Sequence, residues 1–156
     1  MRETATFAAV TLVLIAAMGM AAQVHVPQNG GGNDSAFSLQ FVRTGGIAGA
    51  NDVLIVDSSG LATYSSRFGP AFNASLSSSE IHELEQVLNT NLGAIQPGVF
   101  HSKSGAADFF WYSLDVTVGG KTTHISWMDE WATSEPFPDG LRAIQQALQG
   151  IIQQHI

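Results

Sequence analysis

The stretch from Phe109 to Met128 constrains the fold most, because it has the pattern of a complete β-hairpin. Two alternating runs flank Gly119-Gly120, and a two-residue glycine turn fixes which residues of the two strands face each other. On one side the facing pairs are apolar or β-branched: Tyr112–Trp127, Leu114–Ile125 and Val116–Thr123. On the other side they are polar: Ser113–Ser126, Asp115–His124 and Thr117–Thr122. Because a shift of one residue would mix the two sets, the pattern predicts one register and one buried face.

A second antiparallel unit is predicted nearer the N-terminus. Apolar and polar residues alternate from Phe37 to Phe41, and two further strands are predicted at Asp52–Val56 and Leu61–Ser66. The segment Asp57–Gly60 has the composition of a four-residue turn, with Gly60 at a position suited to positive φ. We therefore expect three strands before the first helix.

Two amphipathic helices follow from the remaining apolar patterns. Ser77 and Glu80 have the spacing of a capping box, and the apolar stripe after them ends at Asn91 or Gly93. The second helix is predicted from about Asp139 to Gln154. Its buried stripe consists of Leu141, Ile144, Leu148, Ile151 and Ile152. The order βββ-α-ββ-α predicts a two-layer α+β domain, in which an antiparallel sheet of two hairpin units packs against two helices.

The first 36 residues differ in composition from the rest. Residues 1–22 contain Arg2, an apolar run from Phe7 to Met20 and then small residues, which is the layout of a secretory signal, or of an N-terminal membrane anchor if it is not cleaved. Residues 23–36 are polar and glycine-rich, which is typical of a flexible linker. A single domain at 37–156 is expected outside the cell, free or on the outer face of the membrane.

Charge and cysteine content exclude several function classes. The chain has no cysteine, so thiol catalysis, thiolate metal sites and disulfides are excluded. Its net charge of −7 argues against nucleic acid and against an anionic membrane surface as partners. Contact with a membrane is expected only if the N-terminal segment stays uncleaved.

The histidines do not form a recognisable catalytic motif. His82-Glu83 lacks a second histidine four residues on, so the zinc-helix motif is incomplete. His124 opposite Asp115 resembles part of a triad with Ser113 or Ser126 as nucleophile. Such residues also form ordinary cross-strand pairs on a solvent-facing sheet, which is the interpretation we favour. We expect no catalytic residue, no metal and no cofactor.

Trp127-Met128-Asp129-Glu130-Trp131 is the other conspicuous cluster. Two carboxylates between tryptophans are able to bind a cation or a sugar ring. The alternative is that Trp127 belongs to the core, as the hairpin register requires, and that the two acids are solvated. Glu130 and Trp131 remain secondary candidates for a binding surface.

The most specific motif follows the first strand: Arg43-Thr44-Gly45-Gly46-Ile47-Ala48-Gly49. It resembles the R-x-G-G-x-A-G signature of emfourin-like proteins, which are small inhibitors of thermolysin-type zinc metalloproteases. The order of hairpins and helices is similar from about Phe37 to Ile152. The chain departs from that family in its export signal, in longer segments around 68–73 and 100–108, and in the tryptophan cluster. The resemblance implies a secreted, non-catalytic inhibitor whose partner is a thermolysin-like metalloprotease.

The residues themselves favour a binding function as well. Glycine backbone enters a narrow cleft easily and forms strand-like hydrogen bonds there, so we expect residues 43–49 to contact the partner. Arg43 has two alternatives: it pairs with a carboxylate of the partner, or with an acid of its own domain. The sequence leaves both open.

Overall fold

The computed structural model describes residues 37–95 and 100–156, which form an α+β domain. The predicted signal or anchor (1–22) and linker (23–36) lie outside the described residues. The strands are β1 Phe37–Gly45, β2 Ala50–Asp57, β3 Leu61–Ser66, β4 Phe72–Ser75, β5 Phe110–Val118 and β6 Lys121–Met128. The helices are α1 Ser78–Asn91 and α2 Asp139–His155, and two short 3₁₀ turns lie at Leu92–Ala94 and Glu130–Ala132.

All six strands belong to one antiparallel sheet with the order β4-β3-β2-β1-β5-β6. The strand β1 therefore lies between the two predicted units and pairs with β2 on one side and β5 on the other. None of the described helices has the length and apolar character needed to cross a bilayer.

The hairpin of β5 and β6 has the register that its glycine turn predicts. Tyr112 pairs with Trp127 and Asp115 with His124. Gly119 and Gly120 both have positive φ, at 55° and 77°, as a two-residue turn between twisted strands requires. The predicted separation of apolar from polar pairs is confirmed.

The first helix begins as predicted. The Ser77 hydroxyl accepts a hydrogen bond from the backbone N–H of Glu80, and the Glu80 carboxylate accepts one from the backbone N–H of Ser77 at 2.7 Å. These reciprocal bonds satisfy two N–H groups at the helix start, a contribution of about 1 kcal/mol for the cap. The helix ends at Asn91, one of the two predicted positions.

The prediction of three strands before the first helix was wrong by one strand. Phe72–Ser75 forms β4, which pairs with β3 in the segment around 68–73. Four residues are too few to show an alternating pattern in the sequence. The strand forms because the Phe72 ring stacks on Tyr64, with centroids 5.4 Å apart, and because the N–H of Leu76 donates to the carbonyl of Gly60 at 2.7 Å.

The core lies on one side of the sheet, beneath both helices. Phe41, Tyr112 and Trp127 stack on neighbouring strands, with ring centroids 5.5–6.0 Å apart. The helices cover them with their apolar stripes. In α2, Leu141, Ile144, Leu148 and Ile151 are buried as predicted, whereas Ile152 is only half-buried. On the opposite side of the sheet, Ser126 and His124 are exposed.

Candidate binding surface at the glycine loop

The predicted contact segment lies where several connections meet. Gly45 pairs with Ala50 and with Phe110, so the end of β1 adjoins the start of β2 and the start of β5. Asp52 pairs with Ser66 at the end of β3. We call this edge, where β1 and β3 end and β5 begins, the loop end of the sheet. The glycine loop, defined as residues 46–49, connects β1 to β2 there.

The glycine loop is a tight turn made possible by three glycines. Gly45, Gly46 and Gly49 have φ values of 105°, 67° and 67°, a region that side chains rarely adopt. The N–H of Gly49 donates to the carbonyl of Gly46 at 2.9 Å, which closes the turn. The sequence therefore encodes the local shape of this loop through its glycines.

Three contacts from other parts of the chain fix the loop in place. The N–H of Gly46 donates to the carbonyl of Phe109 at 3.0 Å, and the N–H of Ile47 donates to the Asp108 carboxylate. From the other side, the Arg67 guanidinium donates to the carbonyl of Gly49 at 3.2 Å. Both the 67–71 and the 100–109 connections contribute, and no sequence pattern predicts their contact with the loop.

The tip of the loop points into solvent. Ile47 is 92 % exposed, the highest value among the exposed large apolar residues of the described chain, and Ala48 is exposed next to it. Thr44 and Gly45 are half-buried. Since they belong to β1, their backbone is paired with strands on both sides. Within residues 43–49, therefore, only the glycine loop has main chain that is not paired in the sheet.

Arg43 pairs within its own domain, which is one of the two alternatives. Its Nε donates to Asp52 Oδ2 at 2.7 Å, and a second guanidinium nitrogen contacts the same oxygen. The Ser66 hydroxyl donates to the other Asp52 oxygen at 2.6 Å, and Asp52 is only 5 % exposed. The guanidinium also lies over the Phe110 ring, 4.8 Å from its centroid. Arg43 thus connects β1 to β2 and β5 just before the loop.

The tryptophan cluster divides into a buried and an exposed part. Trp127 is fully buried and donates from Nε1 to Gln145 at 2.8 Å. Asp129 accepts hydrogen bonds from the Tyr112 hydroxyl and the Phe110 N–H, both at 2.8 Å. Burial, together with the Asp129 carboxylate, raises the pKa of Tyr112. Trp127 and Asp129 are therefore structural, not surface, residues.

The two secondary candidates, Glu130 and Trp131, lie on the short 3₁₀ turn after β6. Glu130 accepts two hydrogen bonds from Arg142, at 2.6 and 3.1 Å, and these lower the pKa of Glu130. Trp131 is 55 % exposed, and its carbonyl accepts a bond from Lys103 Nζ at 3.0 Å. Of this pair, Trp131 is the one with an exposed, uncommitted side chain.

His101 has a partner that the sequence did not reveal. Its backbone N–H donates to Glu135, and its Nδ1 lies 2.8 Å from the other Glu135 oxygen. The Thr133 hydroxyl donates to Glu135 at 2.6 Å, and these bonds, the one from Thr133 first, lower the pKa of Glu135 to about 2. The contact joins residues 34 positions apart, so no local pattern announces it.

The suspected triad does not assemble. His124 Nδ1 lies 2.7 Å from an Asp115 oxygen, as the register requires. Among the described residues, no hydrogen bond joins His124 to Ser113 or Ser126. The same part of the chain contains no group of three or more histidine or acidic residues placed to bind a metal.

Comparison with known proteins adds no relative. No protein-family model matches this chain, and neither does any curated protein.

Proposed function

We propose that this protein is a secreted, non-catalytic inhibitor of a thermolysin-like zinc metalloprotease, and that the glycine loop is its contact surface. The observation that carries the proposal is an apolar side chain, Ile47, exposed at the tip of a loop whose backbone is bonded from both sides. A rigid loop with an exposed apolar tip fits a concave site on another protein.

The hydrogen bonds to the loop favour tight binding. Ordering a flexible loop on association costs about 0.5–1.5 kcal/mol for each immobilised side chain, and more for the backbone. Here the contacts from Asp108, Phe109 and Arg67 order the loop before any partner arrives. Contacts between the loop and the protease then increase the affinity without a further cost for ordering the loop.

Each part of the Arg43–Gly49 segment has a distinct function in this proposal. Ile47 fills an apolar pocket of the protease. The carbonyl of Ile47 and the N–H and carbonyl of Ala48, which have no hydrogen-bond partner among the described residues, form hydrogen bonds along the cleft. Arg43, because it is bound to Asp52, positions the end of β1 and does not reach the partner. The three glycines supply the positive φ values that the turn needs.

The decisive experiment measures inhibition of a thermolysin-type protease by the mature protein. We expect inhibition below micromolar concentration. Ile47→Asp is expected to weaken it at least about 30-fold, because loss of a central apolar contact costs about 2 kcal/mol or more. Leu61→Asp is the matched control, since Leu61 is also exposed but lies at the opposite end of the sheet. No inhibition at micromolar concentration, or equal losses in both variants, would overturn the proposal.

A second candidate function is an extracellular binding module that uses Trp131. It is favoured by the 55 % exposure of this tryptophan on a turn that Arg142 and Lys103 fix. Exposed tryptophans are enriched in binding surfaces. Loss of partner binding in Trp131→Ala, with Ile47→Asp unaffected, would favour this function over protease inhibition.

A further inference from the structure

A pocket of about 380 Å³ lies between the helix-covered side of the sheet and the last turns of α2. Small-molecule sites commonly have volumes of about 300–1,000 Å³. Its apolar walls come from both layers: Phe41, Leu54 and Tyr64 on the sheet, Ile152 on the helix, and Ile156 just after the helix end. The pocket adjoins the loop end of the sheet but lies on the helix side and does not include the glycine loop.

The pocket also contains a partly engaged cation. Arg43 uses Nε and Nη2 to bind Asp52, while Nη1 has no hydrogen-bond partner among the described residues. The Arg43 side chain is 37 % exposed, whereas that of Asp52 is 6 % exposed. Asp52 also lines the pocket, but both of its oxygens already accept hydrogen bonds, one from Arg43 and the other from Ser66. An incoming ligand therefore meets the guanidinium before the carboxylate.

Two carboxamides complete the polar lining. Gln149 and Gln153 lie four residues apart on α2, so both face the same side of the helix. Within residues 37–95 and 100–156, neither side chain forms a hydrogen bond, whereas Gln145 one turn earlier binds Trp127. The two amide groups are thus able to donate into the pocket together with Arg43.

We propose that this pocket binds a small ligand with a carboxylate next to an apolar side chain. The carboxylate accepts hydrogen bonds from Arg43 Nη1 and the two glutamine amides, and the apolar part contacts Phe41 and Ile152. Charge-assisted hydrogen bonds of this kind are about twice as strong as neutral ones. This function is separate from protease inhibition and does not depend on it.

The test is an NMR titration of the full chain, labelled with ¹⁵N, with N-acetyl-leucine. We expect saturable shifts at Arg43 and at the Gln149 and Gln153 side-chain amides. N-acetyl-leucinamide, which lacks the charge, is expected to bind at least about tenfold more weakly. No saturable shift at millimolar ligand, or equal binding of the amide, would overturn the proposal.

Variants separate the pocket from non-specific binding. Ile152→Trp fills the cavity and is expected to abolish the shifts. Gln149→Leu removes one donor and is expected to weaken binding several-fold, whereas Gln146→Leu, on the exposed side of the same helix, is the control without effect. If Ile152→Trp does not fold, the Gln149 and Gln146 pair decides alone. Equal binding by that pair contradicts the assignment.

Two further measurements identify the source of the ligand and separate the two proposals. The first compares N-acetyl-leucine with a peptide that ends in a free leucine carboxylate. Tighter binding of the peptide identifies peptide C-termini as the ligands, and weaker binding identifies small free acids. Ile47→Asp is expected to leave N-acetyl-leucine binding unchanged while it weakens protease inhibition. If Ile47→Asp weakened both N-acetyl-leucine binding and protease inhibition, the pocket would not be an independent site.

Discussion

Two hairpin connections contain adjacent glycines, Gly45-Gly46 between β1 and β2 and Gly119-Gly120 between β5 and β6, and the two are built differently. In the turn between β5 and β6, a side chain added at Gly119 or Gly120 would meet nothing within 4 Å. In the connection between β1 and β2, a Cβ added at Gly45 would lie 2.8 Å from the Phe109 carbonyl oxygen, and one at Gly46 would lie 2.8 Å from the Phe110 ring. The first turn needs glycine only for its backbone conformation, and the second also for close packing.

This difference shows which turn has its shape fixed by the rest of the protein. The turn at Gly119-Gly120 is determined by its own two residues and by strand twist. The glycine loop depends in addition on Asp108, Phe109 and Arg67, which come from two other connections. A chain reversal does not require these three additional contacts, and their presence favours a binding function for the glycine loop.

The largest expected difference between the turns is in stability. Gly45→Ala combines a positive φ with a close backbone contact, so we expect a loss of about 3 kcal/mol in the free energy of unfolding. Gly120→Ala has the φ cost alone, about 1–2 kcal/mol. Urea denaturation of both variants measures the difference. Equal losses would show that the packing around Gly45 contributes nothing.

Asp108 tests whether the loop is held by its neighbours. Asp108→Ala removes the acceptor of the Ile47 N–H, and we expect this amide to exchange with solvent about fivefold faster, since such a bond contributes about 1 kcal/mol. Asp108→Asn is the matched control, because asparagine keeps an acceptor and tolerates the positive φ of 61° at this position. Unchanged exchange in Asp108→Ala would mean that the bond does not order the loop.

Acid is expected to affect the two turns unequally. Bonds from Thr133 and His101 lower the pKa of Glu135 to about 2 in the folded protein, below its usual 4.5. The ionised Glu135 carboxylate therefore stabilises the folded protein fully above about pH 4.5, and this contribution is lost as the pH falls toward 2. Because Glu135 binds the connection that leads to Asp108, the protection of the Ile47 amide, corrected for the pH dependence of intrinsic exchange, should fall with acid before the protection of the Val118–Lys121 pair next to the other turn does. Glu135→Gln should remove this pH dependence, and its persistence would assign the effect to another group.

Arg67 is expected to have the smallest effect. Its bond to the Gly49 carbonyl is exposed and 3.2 Å long, so Arg67→Ala should lower the free energy of unfolding by less than about 1 kcal/mol. We expect protease inhibition to fall only a few-fold. A loss as large as that of Ile47→Asp would indicate that Arg67 itself contacts the partner.

Much of the fold was predictable because its determinants are local. The register of β5 and β6, the capping box of Ser77 and Glu80, and the positive φ at Gly60 all follow from residues a few positions apart. The strand β4 was missed because four residues carry no period. Its pairing depends on the contact of Phe72 with Tyr64.

The surroundings of the candidate site were less predictable than its sequence. The glycines of the loop were recognised directly, but the bond from Ile47 to Asp108 spans 61 positions. The sequence could not choose between an internal and an external partner for Arg43, because Asp52 becomes its neighbour only when β1 and β2 pair. Polar contacts of this kind depend on the folded geometry and produce no periodic pattern in the sequence.

The central position of β1 has a consequence for the order of assembly. When β1 pairs with β2, only a short connection is closed. When β1 pairs with β5, a much longer segment is closed, which has a larger entropy cost, and β5 is synthesised much later than β1. Asp108 and Phe109 reach the glycine loop only with that second pairing. A nascent chain that lacks β5 therefore cannot present the finished loop, and the proposed inhibitory activity should appear only when β1 has paired with β5.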